Sequence, residues 1–194
     1  MSQTKSPLLE GIMARRSGNA RALGLPGPDD AQITAIVKAG AQAPDHGRLV
    51  PFRFLQVAQG ARSRLADLLE ASSRELWADI PQPEIERARE KADQGPEILA
   101  LIGRIDPNHP KITASDQWLA VGAALENMLL AVQACGFAAA VRSGKFLETK
   151  AMRDGFALGP NEHLTCLIAI GTPSDWPPQK PKPELDRVFS VWNG

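Results

Sequence analysis

Residues 116–137, DQWLAVGAALENMLLAVQACGF, constrain this chain more than any other stretch. They are rich in Ala, Leu and Gly, carry few charges, and are apolar on nearly every side of a helical projection. A helix without a wet face has to be covered all round, either in the centre of its own fold or against another subunit. It is not a membrane span, because Asp116, Gln117, Glu126, Asn127 and Gln133 interrupt it. Ser115 can cap its start. The rest of the chain must supply layers that cover it.

Those layers can be read in order. Ser6 followed by Pro7 is a helix start, and Leu8, Leu9, Ile12 and Met13 give that helix an apolar face ending near Arg15 to Gly18. LGLPGPDD is a loop. Asp29 with Gln32 resembles a capping box, and Ile33, Ile36 and Val37 continue at helical spacing to Gly40, a C-cap candidate. The turn-rich PDHGRLVP leads into FRFLQV, which alternates as a half-buried strand does, and residues 61–77 form an amphipathic helix. The polar, proline-bracketed ADIPQPEIERAREKADQGPE reads as an exposed or mobile helical segment, a lid or variable region over 80–96. ILALIGRI and LTCLIAIG are strands buried on both faces, AAAVRSG is a short strand running into a loop, and a helix lies around 148–157. The tail TPSDWPPQKPKPELDRVFSVW is proline-dense and extended over this subunit or a neighbour. The layout is α+β, an apolar sheet with helices packed over it.

Charge narrows the function classes. Lys plus Arg total 22 and Asp plus Glu total 22, so no global field draws in nucleic acid or an anionic membrane, and any anion site is local. Cys135 and Cys166 lie in apolar segments without CxxC or Cys/His spacing, against a disulfide framework and against a metal site. MSQTKSPLLEG lacks the apolar run of a signal peptide, and no segment is long and apolar enough for a membrane helix, so the expected compartment is a reducing cytoplasm.

Three short stretches could carry chemistry. Arg15, Arg16 and Ser17 follow the first helix. Cations there can relieve the helix dipole, but two neighbouring arginines point apart and cannot serve one cap, and with the serine they suit a phosphate or a heteroaromatic ring bearing carbonyls. His46 follows Asp45, yet adjacent loop residues point apart, so a catalytic dyad is disfavoured; a ligand contact and a histidine held by backbone both stay open. Arg142, Ser143 and Gly144 end a buried strand, where α/β ligands sit, although a plain turn with a solvated arginine would look the same. No GxSxG, GxxxxGK[ST], GxGxxG or HExxH occurs, and tyrosine is absent. Anion donors with few acid/base groups fit chemistry carried by a bound cofactor, with no catalytic side chain singled out.

In order and spacing, ARRS after the first helix, AGAQAPDHGRLVPFRF after the second, a long small-residue helix ending QACGF, then VRSG and IGTP, resemble the short bacterial members of the FMN-dependent nitroreductase family. That resemblance implies one domain over 1–194: a sandwich whose central, mostly antiparallel sheet is flanked by helices, in an intertwined homodimer with FMN at the interface. Residues 116–137 would then form the dimer core. Arg15, Arg16 and Ser17 would grip FMN, Gln42 and His46 would add contacts from the other subunit, and Arg142, Ser143 and Gly144 would complete the site. The implied reaction passes hydride from NAD(P)H to flavin N5, then electrons to a nitroaromatic, quinone or enone; VQACGF would lie near the nicotinamide. A non-catalytic dimeric flavin-binding module is the alternative. The chain departs from the family pattern at Asn19, where a basic residue is usual and only Arg21 is near, and at Gln42, Val141 and Val50-Pro51-Phe52. The family's C-terminal basic residues have Lys182 and Arg187 as loose counterparts.

Overall fold

The computed structural model describes residues 6–176 and 178–194. Residues 1–5, part of the stretch read as lacking a signal peptide, and Pro177 of the tail lie outside them. Strand β5 (Glu162–Pro173) is the spine of the sheet. It pairs antiparallel with β3 (Glu97–Arg104) on one edge and β4 (Ala138–Arg142) on the other, while β2 (Phe52–Gln56) extends the sheet beyond β3. The two-residue β1 (Leu23–Gly24) pairs with the end of β5. The alternation of strand side chains sorts the core into two layers. Leu99, Leu101, Ile168 and Ile170 pack with Ile36 of α2 (Asp30–Gly40) and with α5 (Ala114–Ala134). Ile98, Ala100, Ile102 and Leu167 pack with Leu65 and Leu69 of α3 (Arg62–Leu76) and Met152 of α6 (Lys150–Gly155). Both faces are covered, which is why β3 and β5 read as continuous apolar runs. One bulge interrupts the register: Leu101 faces Cys166 and Ile102 faces Leu164, leaving Thr165 as the extra residue.

The long helix is covered on one side only. Ala120, Val121, Ala124, Met128 and Val132 are buried, whereas Leu119 on the far side is 72% exposed. The helix α1 (Pro7–Ala14) lies against α5 and leaves Leu8, Leu9, Ile12 and Met13 exposed. This chain by itself therefore leaves an apolar face open to solvent.

Four local readings are corrected. Ser6 precedes α1 but its hydroxyl makes no capping bond; Pro7 alone sets the start. Thr113, not Ser115, caps α5, in a capping box with Asp116. Gly40 is not a C-cap but the last turn of α2, and a Cβ there would stand 2.7 Å from Met128 Cγ and 2.9 Å from Phe54 Cζ, so it marks close helix packing. The polar segment forms α4 (Gln82–Glu90), exposed over most of its residues as expected but packed along one stripe: Ile85 and Ala88, one turn apart, are buried, and Arg89 bridges Asp67 and Glu70 of α3 at 2.8 and 2.7 Å. Two apolar residues among charges hide this from hydropathy, and Pro81 and Pro83 sit at or before its first turn, where a missing N–H costs nothing. The capping box at Asp29 and Gln32 forms as expected, at 2.8 and 2.9 Å.

Candidate anion-binding site

The loop after α1 is built to hold two cations apart. Arg15 leaves the helical conformation, and its Nε pairs with Glu126 of α5 at 3.1 Å. The Arg16 guanidinium lies 5.2 Å from the centre of the Trp176 ring. Gln133 of α5 ties the loop down, accepting the Arg16 backbone N–H at 3.3 Å and donating to the Gly11 carbonyl at 3.1 Å. Gly18 then donates to the Ala139 carbonyl at 2.7 Å, fastening the loop to β4; a Cβ there would crowd Ala138 and Leu23. Arg15, Arg16, Ser17 and Asn19 line a cleft of about 330 Å³, closed by Lys180 and Lys182 of the tail. The tail is anchored by Gln179, which donates to the Met13 carbonyl at 2.7 Å. In a chain without net charge, four cations around one cleft, one of them paired with Glu126, make it the candidate anion site. Of the two loose C-terminal counterparts, Lys182 lines this cleft and Arg187, in a short exposed helix, does not.

Arg142 is placed differently. Alternation along β4 sends it to the α3 side of the sheet, the side opposite Glu126 and Gln133. Its guanidinium donates to the Lys91 carbonyl at 2.5 Å and to the Gln94 side chain. With Arg21, Arg87, Lys91 and Ser143 it lines a second cleft, of about 500 Å³. Burial lowers the Arg142 pKa to about 10, with Arg62 adding repulsion, so it remains cationic at neutral pH. Burial also lowers the Lys91 pKa, reinforced by Arg142 and Arg21. Among the described residues the one carboxylate lining this cleft, Glu84, is paired with Arg87 at 2.5 Å.

The remaining residues scatter. Ser143 and Gly144 also border a cleft of about 420 Å³ with Trp118 and His163, and the φ of +130° at Gly144 suits glycine. Gln42 lines an apolar groove between α1 and α5, beside Leu8 and Ile12. His46 begins a short helical turn in a loop where Gly47, Arg48 and Val50 all have positive φ, at 77°, 55° and 49°; left-handed non-glycine residues cost about 1–3 kcal/mol each and cluster at functional sites. Asp45 accepts the Val50 N–H at 2.7 Å and so does not orient His46. One chain therefore gathers Arg15, Arg16 and Ser17 in one cleft, Arg142 and Ser143 in another, and Gln42 and His46 in neither. In VQACGF, Val132 and Phe137 are buried in the core and only the residues between them reach the surface. Burial pushes the Cys166 thiol up to about 12, which makes it inert as a nucleophile at neutral pH.

Sequence reasoning missed Lys91 and Lys180, and noted Arg21 only as the basic residue nearest Asn19. Lys91 sits in a charged run where nothing distinguishes it locally, and its role depends on a contact with β4 fifty residues away.

Comparison with known proteins places this architecture. The family model described as "Nitroreductase family" matches residues 12–172. A Haemophilus influenzae protein provisionally named an NAD(P)H nitroreductase is 30% identical over 161 residues, covering 83% of this chain and 86% of its own length. The crystal structure of a nitroreductase-like family protein from Bacillus cereus superposes with a TM-score of 0.82 at 16% identity, covering the whole of both chains. A Desulfovibrio desulfuricans structure, described as a provisional nitroreductase in complex with FMN, gives 0.73 at 24% identity, covering 97% of this chain and 98% of its own. The sheet, its two helical layers and the match over most of the sequence together make this chain a member of the nitroreductase family.

Proposed function

We propose that this chain is an FMN-dependent oxidoreductase that takes hydride from NAD(P)H and passes electrons to a nitroaromatic, quinone or enone acceptor. The observation that carries the reading is the cleft in which Arg15, Arg16, Lys180 and Lys182 surround Ser17 in an otherwise neutral chain. The donor set fits a flavin mononucleotide phosphate: guanidinium groups give charge-assisted bonds of about twice the strength of neutral ones, and the serine hydroxyl adds a further donor. FMN, when bound, supplies the two-electron carrier that the protein's own side chains lack. Arg142, cationic though partly desolvated, and the neighbouring Lys91 would offer positive charge to an electron-rich ring bound beside β4. No protein nucleophile or proton donor is required in this reading.

The site is completed, in our reading, by a second copy of the chain. Gln42 and His46 line neither cationic cleft of their own chain, and the open face of Leu8, Leu9, Ile12, Met13 and Leu119 offers the surface through which a homodimer would bring them to the partner's cofactor. A single domain spans residues 1–194 on this account, and the protein works in the cytoplasm. The deciding experiment is anaerobic mixing of FMN-loaded protein with NADH or NADPH, followed by flavin absorbance. Bleaching, with colour restored by a quinone or nitroaromatic, is expected; bound flavin that neither nicotinamide bleaches would make the protein a flavin-binding module instead.

A further inference from the structure

Arg62 is the most deeply buried charged side chain among the described residues, 6% exposed, and it stands at the first position of α3. Among the described residues it forms no salt bridge within 4.0 Å, and its Nε has no partner. Burying a guanidinium this way is costly, because neutral acceptors satisfy its N–H groups without cancelling its charge, and Glu97 and Asp93 offset that cost only in part. The two acceptors it does have are both backbone carbonyls of one turn: Ala92 at 2.8 Å and Pro96 at 2.9 Å. That turn joins α4 to β3, and other contacts fix it as well. Gly95 has φ +87° and passes so close to β5 that a Cβ would lie 3.2 Å from the Ile170 carbonyl oxygen. Pro96 rests on Gly171, where a Cβ would come within 2.5 Å of the proline ring.

The same turn holds Arg142, whose guanidinium bonds to the Lys91 carbonyl and the Gln94 side chain. Both acceptors lie within or directly beside the segment that Arg62 clamps. We propose that Arg62 is a positioning residue for the second cationic cleft, setting the 91–96 turn so that Lys91 and Gln94 present Arg142 to the ligand. A methionine, shorter and uncharged, would remove the buried charge while keeping an apolar stem, but it could not hold two carbonyls of the turn at once. This role rests on the reading of that cleft as part of the FMN site.

The test is a double-variant cycle on FMN affinity, measured by quenching of flavin fluorescence, with circular dichroism and thermal melts run on each protein. Arg142→Met should weaken FMN binding about 10- to 100-fold, as loss of a charged hydrogen-bonding group does. Arg62→Met should weaken it about 5- to 10-fold, and the double variant should bind no more weakly than Arg142→Met alone, because Arg62 acts through Arg142. Multiplied effects in the double variant, or FMN affinity unchanged by Arg62→Met while Arg142→Met weakens it, would overturn the positioning role alone. Unchanged affinity in both single variants would overturn the placing of FMN at this cleft and the proposal with it. Should Arg62→Met fail to fold, Arg62→Lys, which keeps the charge and a donor group but not the planar fork, must show a smaller loss in the same direction that again vanishes in the Arg142→Met background; full wild-type affinity would refute the role.

Discussion

Protonating Glu162 should unlock the end of the sheet. This residue opens β5 and collects bonds from three other places: Arg53 of β2 through Nε and Nη2 at 2.7 and 2.8 Å, Arg104 of β3 at 3.0 Å, and the Gly159 N–H at 3.1 Å. Its carboxyl is held at about 2, against an ordinary 4.5, chiefly by the Arg53 bonds, with the Gly159 N–H and Arg104 assisting against the cost of burial. A folded-state value below the unfolded one means that the stabilisation is fully present above about pH 5 and is lost as pH falls toward about 2. At about 1.36 kcal/mol per pH unit the displacement bounds the effect near 3 kcal/mol. Glu162 is 17% exposed and Arg104 50%, so solvent screening reduces the expectation to about 2 kcal/mol. The assay is urea unfolding of wild type and Glu162→Gln from pH 7 down to about pH 3. Wild type should be more stable at neutral pH by about 2 kcal/mol, with the gap closing steadily below about pH 5. A gap that does not change with pH would refute the argument, because it would show that the loss comes from packing and not from charge.

Other consequences can be checked alongside. Arg16→Ala should weaken FMN binding by roughly 1.5–3 kcal/mol, read by flavin titration, and unchanged affinity would remove that arginine from the site. Ala124 is fully buried within the chain, so Ala124→Glu would break the fold itself; Leu119→Glu on the open face is the cleaner probe of the proposed homodimer, and should yield a folded monomer by light scattering where the wild type is expected to give a dimer. Gly40→Ala should cost about 1–3 kcal/mol in urea unfolding, because its new methyl meets Met128 and Phe54. Cys166 should resist alkylation at pH 8 in the folded state and react once the protein is unfolded.

Much of the fold was legible because the decisive signals are periodic or local. Two continuous apolar runs gave β3 and β5, and the Asp29 and Gln32 pair marked the start of α2. The long helix announced its own burial, although the sequence could not say that the chain would cover only one side of it. Boundaries failed where the controlling contact was tertiary: Gly40 looked like a stop signal because its small size is needed against Met128, a residue far along the chain. The packing of α4 was hidden because Ile85 and Ala88 are too few to raise hydropathy. The candidate site divides along the same line. ARRS is contiguous and could be found as a cluster, whereas Lys91, Arg21 and Arg62 join Arg142 only after β4 and the 91–96 turn are brought together. Long-range assembly of scattered cations leaves no local pattern to read.

The central claim is that the cationic clefts on either side of β4 hold FMN. Its most direct test is the visible absorption spectrum of the purified protein after incubation with FMN and removal of the free cofactor. Retained flavin absorbance in fixed ratio to protein, lost in the combined Arg16→Ala and Arg142→Ala variant, is the expected result. A colourless wild-type protein, or a yellow variant, would contradict the account.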